Sequence, residues 1–504
     1  MRNNGKYMKN RITLLNMLSN FLLQIFTIIS GFIIPRIILV YFGSEVNGLV
    51  SSLTQFLSYI SLVEGGIGAV VLANLYKPLV ENDRVGLNRV MSTANHFYKS
   101  IGKIFIGYSI FLSIIYPIIF RSNFSFGYIC TLTLILSIGT TVQYLFAINI
   151  KTLLNADKKI YIVSFSQIVV VIVNIFLVVI SVKVYPSIHL LKIITSFVYA
   201  LQPIFYNYYI KKNYSIDWTM PVDNKLIKER WNGFAINTAA FIHNCTDVAV
   251  LTIFTNLSTV SVYAVYSLVT NGIKQLVTSL LNGINPTIGL AYAKGDLEDL
   301  KKKMDLYEFF TLVFTCFSYT MTALLIAPFA MIYTHGVTDT NYYQPVFGIL
   351  LVLSEALYIV KFPHLNLAYA ANRFKDITIP AYIEAGLNIV ISALLVYKRG
   401  LVGAAVGTIV AMIYRMIFHV YYTRKIVVGW KQWIFYKKFL TFLGGSIATF
   451  VFCVTFFPIK QISVMNWIIH ALLYGIVTIV MILVIIMLMF RSELKFCCQY
   501  LKRK

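Results

Sequence analysis

The feature that most constrains this chain is a succession of long apolar segments, divided by short polar ones from end to end. A helix that crosses a bilayer takes about 20 mostly apolar residues. Fourteen segments qualify: 12–42, 45–76, 88–119, 128–152, 160–182, 187–210, 233–256, 259–290, 304–334, 343–370, 376–397, 400–423, 436–458 and 463–490. Several are longer than a bilayer requires. They are expected to tilt, to extend past the membrane as amphipathic helices, or to break, with Pro35 the candidate break in the first. Composition agrees: 58% of residues are hydrophobic and 12% charged, against about 25% charged in soluble domains. In water such a chain would expose large apolar patches and aggregate. It is also far too apolar to stay disordered. The expected class is an all-α polytopic membrane protein.

The net charge of +24 suggests a nucleic-acid partner, but no polar surface is available to carry one, so none is expected. Its distribution reads instead as topology. Five Lys and Arg fall in the short loops of one side (Arg121, Lys183, Lys398, Arg399, Lys460) and five within spans (Arg36, Lys192, Lys274, Lys361, Arg415). The remaining 33 of the 43 lie on the opposite side or at the adjoining span ends. This is a positive-inside pattern. Both ends of the chain are basic, so an even count with both termini cytoplasmic is expected. The opening run after Arg2, Lys6, Lys9 and Arg11 exceeds the roughly 7–15 residue core of a signal peptide and lacks a small-residue cleavage site. It is read as a retained first helix.

Six cysteines show no metal-ligand spacing, and no metal is expected; Cys497 and Cys498 form a weak acylation motif. The polar stretch 211–232, with Lys211, Lys212, Lys225, Lys228, Arg230, Trp218 and Trp231, reads as a cytoplasmic linker with a short interfacial helix. The stretch 424–438, with Arg424, Lys425, Trp430 and Trp433, has the same interfacial character. These divisions predict an N-terminal six-helix lobe (1–210), the linker (211–232), a C-terminal six-helix lobe (233–424), and an extra helix pair with a basic cytoplasmic tail (425–504). Sparse matches between the lobes suggest a parallel internal repeat. At an offset of 217, Gly66-Ile67 meets Gly283-Ile284, and Asn155, Lys158 and Gln167 meet Asn372, Lys375 and Glu384; Pro117 answers Pro328 nearby.

Polar residues within spans are costly and tend to face a cavity or the bundle interior. The first span carries Asn16, Asn20, Gln24, Thr27 and Gly31 on one stripe, and the second Asn47, Ser51, Thr54, Ser58, Ser61 and Gly65. The seventh places Asn237, Asn244 and Asp247 on a face, and the eighth Ser267, Asn271, Lys274, Thr278, Asn282 and Asn285. Tight helix packing explains Ser, Thr and Gly equally well, but packing requires no charge. Asp247 and Lys274 both fall near mid-membrane, where a pair between them is expected. Arg36 lies nearer the outer end, and Glu64 in the inner half of the second span. Lys192 and Arg415 sit near span ends, where long cations reach the interface. Glu355, Lys361 and Glu384 form either a secondary polar site or structural ion pairs.

No phosphate-binding G-x-x-x-x-G-K-[ST] loop and no H-E-x-x-H, C-x-x-C or G-x-S-x-G motif occurs, so the chain does not read as an enzyme. No cofactor is expected. The residues do resemble a family. Pro35-Arg36 before Tyr41-Phe42-Gly43, the Gly65-Gly66-Ile67-Gly68 turn, Leu75-Tyr76-Lys77, Thr246-Asp247 before Val250-Leu251, Val260-Ser261-Val262-Tyr263 and Asn282-Gly283-Ile284-Asn285-Pro286 are similar to bacterial polysaccharide (oligosaccharide-lipid) flippases. These are Wzx-like members of the multidrug/oligosaccharidyl-lipid/polysaccharide exporter superfamily.

The resemblance implies two six-helix lobes around a central cavity lined by spans 1, 2, 7 and 8, with fourteen spans in flippases and usually twelve in multidrug members. It implies a transporter in the bacterial cytoplasmic membrane that flips an undecaprenyl-diphosphate-linked oligosaccharide by alternating access, for O-antigen, capsule or exopolysaccharide. Arg36 and Lys274 would attract the diphosphate, and Asn20, Gln24, Asn244, Asn271 and Asn282 would bind sugar hydroxyls. Asp247 or Glu64 would carry a coupling proton or sodium ion. Membrane lipids, a polysaccharide polymerase and chain-length machinery are the implied partners. The alternative is a multidrug/cation antiporter of the same superfamily, which would favour a cavity of carboxylates and aromatics. A membrane glycan polymerase is the third reading; its chemistry needs a site in a sizeable outside loop, and every such loop is short.

Overall fold

The structure, a computed structural model, describes residues 2–120, 123–223, 226, 241 and 245–490. All regular structure among them is helical. The chain divides into two compact units, Met1–Phe241 and Ile242–Lys504. Unit 1 contains α1 (Arg2–Ser58), α2 (Ile60–Glu64), α3 (Ile67–Glu81), α4 (Arg84–Ile119), α5 (Phe126–Phe146), α6 (Ile148–Ala156), α7 (Ile160–Val184), α8 (Ile188–Ala200) and α9 (Gln202–Asn213). Unit 2 opens with α10 (Cys245–Phe254). It continues with α11 (Leu257–Asn282), α12 (Asn285–Ala293), α13 (Leu297–Tyr333), α14 (Pro345–Val360), α15 (Phe362–Ala370), α16 (Phe374–Arg399), α17 (Leu401–Tyr421), α18 (Trp433–Phe456) and α19 (Val464–Met489).

Eleven helices among the described residues are long and apolar enough to cross a bilayer, fewer than the fourteen expected. The difference has physical causes. Leu14–Glu64 is one 51-residue run that joins the first two expected spans. The seventh span falls largely on residues outside those described, leaving Cys245–Phe254. The 26-residue α11 is long enough, but its polar stripe lowers its hydropathy. The break expected at Pro35 is also displaced. Pro35 lies inside α1, and the non-helical backbone is at Gly43 (φ 83°, ψ 177°). A left-handed φ favours glycine because it has no Cβ to clash.

The two units share an internal plan, helix by helix. In each, a helix breaks at a glycine-bearing turn, Gly65-Gly66 after α2 and Gly283-Ile284 after α11. A short helix follows and ends beside a left-handed residue, Asn82 (φ 53°) or Gly295 (φ 71°). Asp83 then caps the 36-residue α4 and Asp296 the 37-residue α13, each accepting from backbone N–H groups of the first turn. The next helix breaks, at Ala147 or Lys361, and a nine-residue helix follows. Lys158 (φ 59°) and Asn372 (φ 55°) mark equivalent turns. The offset of 217 therefore holds at the glycine breaks and then slips. Lys158 matches Asn372 rather than Lys375, because α3 has 15 residues and α12 has nine. The pairs Asn155–Asn372 and Lys158–Lys375 are not equivalent.

Helices α18 and α19 have no counterpart among the described residues of unit 1. They pack on α13 through Phe309, Leu312, Phe442, Ile482 and Ile486, and the Trp467 indole donates to the Leu325 carbonyl at 3.2 Å. Helices α16 and α17 approach most closely at Gly403 and Gly407, a small-xxx-small pair the sequence reading missed. A Cβ at Gly403 would stand 2.4 Å from the Leu395 backbone, and one at Gly407 would stand 2.2 Å from Ser392 Oγ. Gly403→Ala is therefore expected to force the helices apart at a cost of about 1–3 kcal/mol, measurable as a lower unfolding temperature of the purified protein.

Candidate functional site

In unit 1 the polar stripe of the first span divides by role. Asn16 donates to the Lys158 carbonyl (2.8 Å) and accepts from Tyr161 N–H (3.0 Å), while Asn20 accepts from Ser164 Oγ (2.7 Å). These amides fasten α1 to α7, the packing role weighed for such stripes. Gln24 is half-buried and Arg36, also half-buried, follows Pro35. Glu64 accepts from the Tyr144 hydroxyl at 3.0 Å. Asn237 and Asn244 lie outside the described residues, as do Trp231, Arg230, Lys225 and Lys228 of the linker.

Unit 2 gathers six ionisable residues of its spans, Asp247, Lys274, Glu355, Lys361, Glu384 and Arg415, into one cluster. Lys274 does not pair with Asp247 as expected. Its ammonium sits 3.1 Å from Glu355 Oε2 and 5.2 Å from the centre of the Tyr358 ring. Lys361 lies over the same ring, at 4.3 Å, and 3.6 Å from Glu384 Oε1. One aromatic ring thus lies within reach of two cations. Arg415 does not reach for the interface: it is 4% exposed and its Nε is 3.0 Å from Glu384 Oε2. A buried guanidinium needs such a partner, because an uncompensated charge in a low-dielectric interior is prohibitive.

Asp247 is bound differently. Its carboxylate accepts from Tyr263 Oη (2.9 Å) and Thr408 Oγ1 (3.0 Å), and Thr408 in turn accepts from Asn388 Nδ2 (3.0 Å). Asp247 has no ion pair among the described residues and is 5% exposed. Asn388 Oδ1 is buried without a donor. A carboxylate held by hydroxyls alone, beside an orphaned amide oxygen, is a set of hard oxygen donors. Ionised Asp247, Glu355 and Glu384 balance Lys274, Lys361 and Arg415, three against three, so the cluster carries no net charge. The sequence reading missed Tyr263, Asn388 and Thr408, although Asn388 and Ser392 stand four apart on α16 and Thr408 follows Gly407. Asn282 accepts from Asn285 Nδ2 (3.1 Å), and Asn285 accepts from Tyr307 (2.6 Å) and Asn366 (2.7 Å). Asn271 is exposed on α11.

Two further features flank this cluster. An apolar cavity of about 510 Å³ lies between α13, α14, α17 and α18, lined by residues such as Leu312, Val352, Leu357, Met416, Phe442 and Phe450. Arg424, expected at the membrane interface, is 2% exposed and grips Glu308 at 2.7 Å through both carboxylate oxygens. Asp305 joins it at 3.6 Å and Lys438 contacts Asp305 at 3.1 Å, while His364 Nδ1 meets Thr423 Oγ1 at 2.9 Å.

Broken helices with polar clusters at the breaks and long apolar helices around them mark a multi-pass membrane protein. Comparison with solved structures bears this out. The fold is shared with the lipid II flippase MurJ in its inward closed conformation (17% identity, TM-score 0.72), covering 95% of this chain and 100% of that one. It is also shared with a multidrug-resistance MATE family transporter of the MOP superfamily in its inward-facing conformation (13%, TM-score 0.64), covering 79% and 93%. The eukaryotic MATE transporter AtDTX14 (15%, TM-score 0.60) covers 86% and 99%. No protein-family model and no curated protein sequence matches. The exporter fold that the sequence resemblance implied is the fold of this chain.

Proposed function

We propose that this protein flips an undecaprenyl-diphosphate-linked oligosaccharide from the inner to the outer leaflet of the bacterial cytoplasmic membrane by alternating access, for surface polysaccharide. The observation that carries the reading is that α14 gives Leu353, Ala356 and Leu357 to the wall of the apolar cavity of about 510 Å³ and Glu355 to the ion pair with Lys274 of α11. An amphiphile with a long hydrocarbon tail and a charged head requires both environments side by side. A small drug molecule requires only one pocket. Arg36 and Lys274 attract the diphosphate. Gln24 and Asn271, exposed or half-buried and without protein partners among the described residues, are the amides free for sugar hydroxyls; Asn244 is proposed to join them from its place in the seventh span. Fourteen crossings with both termini cytoplasmic follow from the charge distribution, and the lobe boundaries 1–210, 211–232, 233–424 and 425–504 follow from the spans. Polymerase and chain-length proteins are the proposed partners downstream.

Asp247 carries the coupling proton or sodium ion, because its carboxylate has hydroxyl donors and no counter-ion. Glu64 is the second coupling candidate and the less suited, being partly exposed. The multidrug/cation antiporter keeps a claim through that same unpaired carboxylate, which suits a cation. Reconstitution separates the two. Vesicles containing the protein should translocate a fluorescent lipid-linked oligosaccharide and fail to move a cationic dye; dye transport without lipid translocation would reverse the assignment. Asp247→Asn is expected to remove the dependence of translocation on an imposed proton or sodium gradient. An unchanged gradient dependence would discard Asp247 as the coupling group.

A further inference from the structure

Unit 1 contains a second cavity, also about 510 Å³, walled by α1, α5, α6 and α8. Its lining differs in kind from the apolar cavity of unit 2. Lys192 of α8 faces it, with Thr54 of α1, Thr140 of α5 and Tyr199 of α8. None of these four side chains makes a hydrogen bond or ion pair with the described residues. An ammonium and three hydroxyls therefore converge on one space with their donors unused. Thr54 and Thr140 are exposed and Lys192 and Tyr199 half-buried, so these donors stand open to a ligand that supplies acceptors. In unit 2, by contrast, Lys274 is paired with Glu355 and Lys361 with Glu384. Glu64, which meets the wall residue Tyr144, accepts from its hydroxyl at 3.0 Å and has no lysine partner among the described residues. Lys151, behind the wall, is also engaged: it donates to Gln143 Oε1 at 2.6 Å and lies over the Tyr206 ring.

We propose that this cavity binds a carboxylate-bearing sugar, with Lys192 as the counter-ion of the carboxylate and the hydroxyls of Thr54, Thr140 and Tyr199 hydrogen-bonded to the sugar. The inference rests on the oligosaccharide-flippase reading and adds to it that the transported glycan contains an acidic residue. One ammonium among neutral hydroxyls balances one negative charge. A diphosphate carries at least two and calls for several cations or a guanidinium fork. The volume lies within the range of small-molecule sites, and Tyr199 lines it with an aromatic ring as well as a hydroxyl.

Gly139 supplies a steric test. It lines the cavity, and a Cβ built on it meets nothing within 4 Å, so a larger side chain there fills the space without straining the helix. The experiment titrates the purified full-length protein in detergent with glucuronate, glucose and inorganic pyrophosphate, following intrinsic fluorescence. Glucuronate is expected to bind saturably and at least about tenfold more tightly than glucose, with about tenfold weakening in Lys192→Gln and in Gly139→Leu and near-native binding in Lys192→Arg. Equal affinity for glucose and glucuronate, tighter binding of pyrophosphate, or glucuronate binding untouched by both Lys192→Gln and Gly139→Leu overturns the proposal. Lys192→Arg and Gly139→Leu act as folding controls for each other, since one keeps the charge and the other the lysine. Lipid translocation in vesicles is read separately, so loss of the flippase reading and loss of this site are distinct results.

Discussion

Alanine at both Lys274 and Arg36 is expected to abolish surface polysaccharide in cells while protein levels stay unchanged. Removing Lys274 strips the cluster of unit 2 of one cation and leaves Glu355, whose side chain is 14% exposed, without its partner 3.1 Å away. The loss of stability is limited because neither side chain is fully buried. The loss of transport is complete if the ammonium binds the diphosphate, since charge-assisted contacts to phosphate are among the strongest available. A charge swap sharpens the result. Lys274→Glu with Glu355→Lys restores the ion pair but moves the cation from α11 to α14. Recovery of thermal stability without recovery of polysaccharide is expected. Full recovery of both would make the pair structural, and normal polysaccharide in the Lys274/Arg36 double variant would remove the proposed diphosphate site.

Glu308→Ala is expected to destabilise the protein by about 3–5 kcal/mol, the typical cost of stranding one member of a buried pair. Arg424 holds that carboxylate at 2.7 Å, both side chains are at most 3% exposed, and the guanidinium also donates to the Lys431 carbonyl at 2.9 Å. The pair joins α13 to the π-helical turn Tyr422–Val427, which leads into α18. Its loss therefore loosens the attachment of the extra helix pair as well. Glu308→Met with Arg424→Leu should recover most of the stability, because a packed apolar pair of similar volume avoids the desolvation penalty. Unfolding temperatures of the two single variants and the double variant give the coupling directly. Additive losses would show that the two groups do not act as a pair.

What could be read from the sequence is uneven for a physical reason. Hydropathy and charge report on the environment each segment requires, and they marked the chain as a helical membrane protein, whereas the break expected at Pro35 falls at Gly43. The polar stripe of the eighth span drew attention to Lys274, which the structure pairs with Glu355. That of the first span did not separate Asn20, which packs on Ser164, from Gln24, which has no such partner. A stripe says which residues share a face and nothing of what the facing helix brings. The same limit misplaced Arg415 and Arg424, which stand near span ends and so looked interfacial. Their partners, Glu384 and Glu308, come from other helices; Glu308 is 116 residues from Arg424. Lys274 and Glu355 are 81 residues apart, so a pair with Asp247 on the preceding span was the nearer guess. The Gly403–Gly407 contact was legible as a motif, but its consequence was not. It brings α16 and α17 close enough for Asn388 to reach Thr408 at 3.0 Å.

The balance of three carboxylates against three cations in unit 2 bears on membrane voltage. Moving a unit charge through the full potential costs or releases about 2.3 kcal/mol per 100 mV. An electroneutral cluster is nearly indifferent to that field, so the empty protein can rearrange at little electrical cost. A monovalent cation captured by Asp247 leaves the cluster with one net positive charge. The voltage, negative inside, then acts on the loaded form alone and drives that form inward.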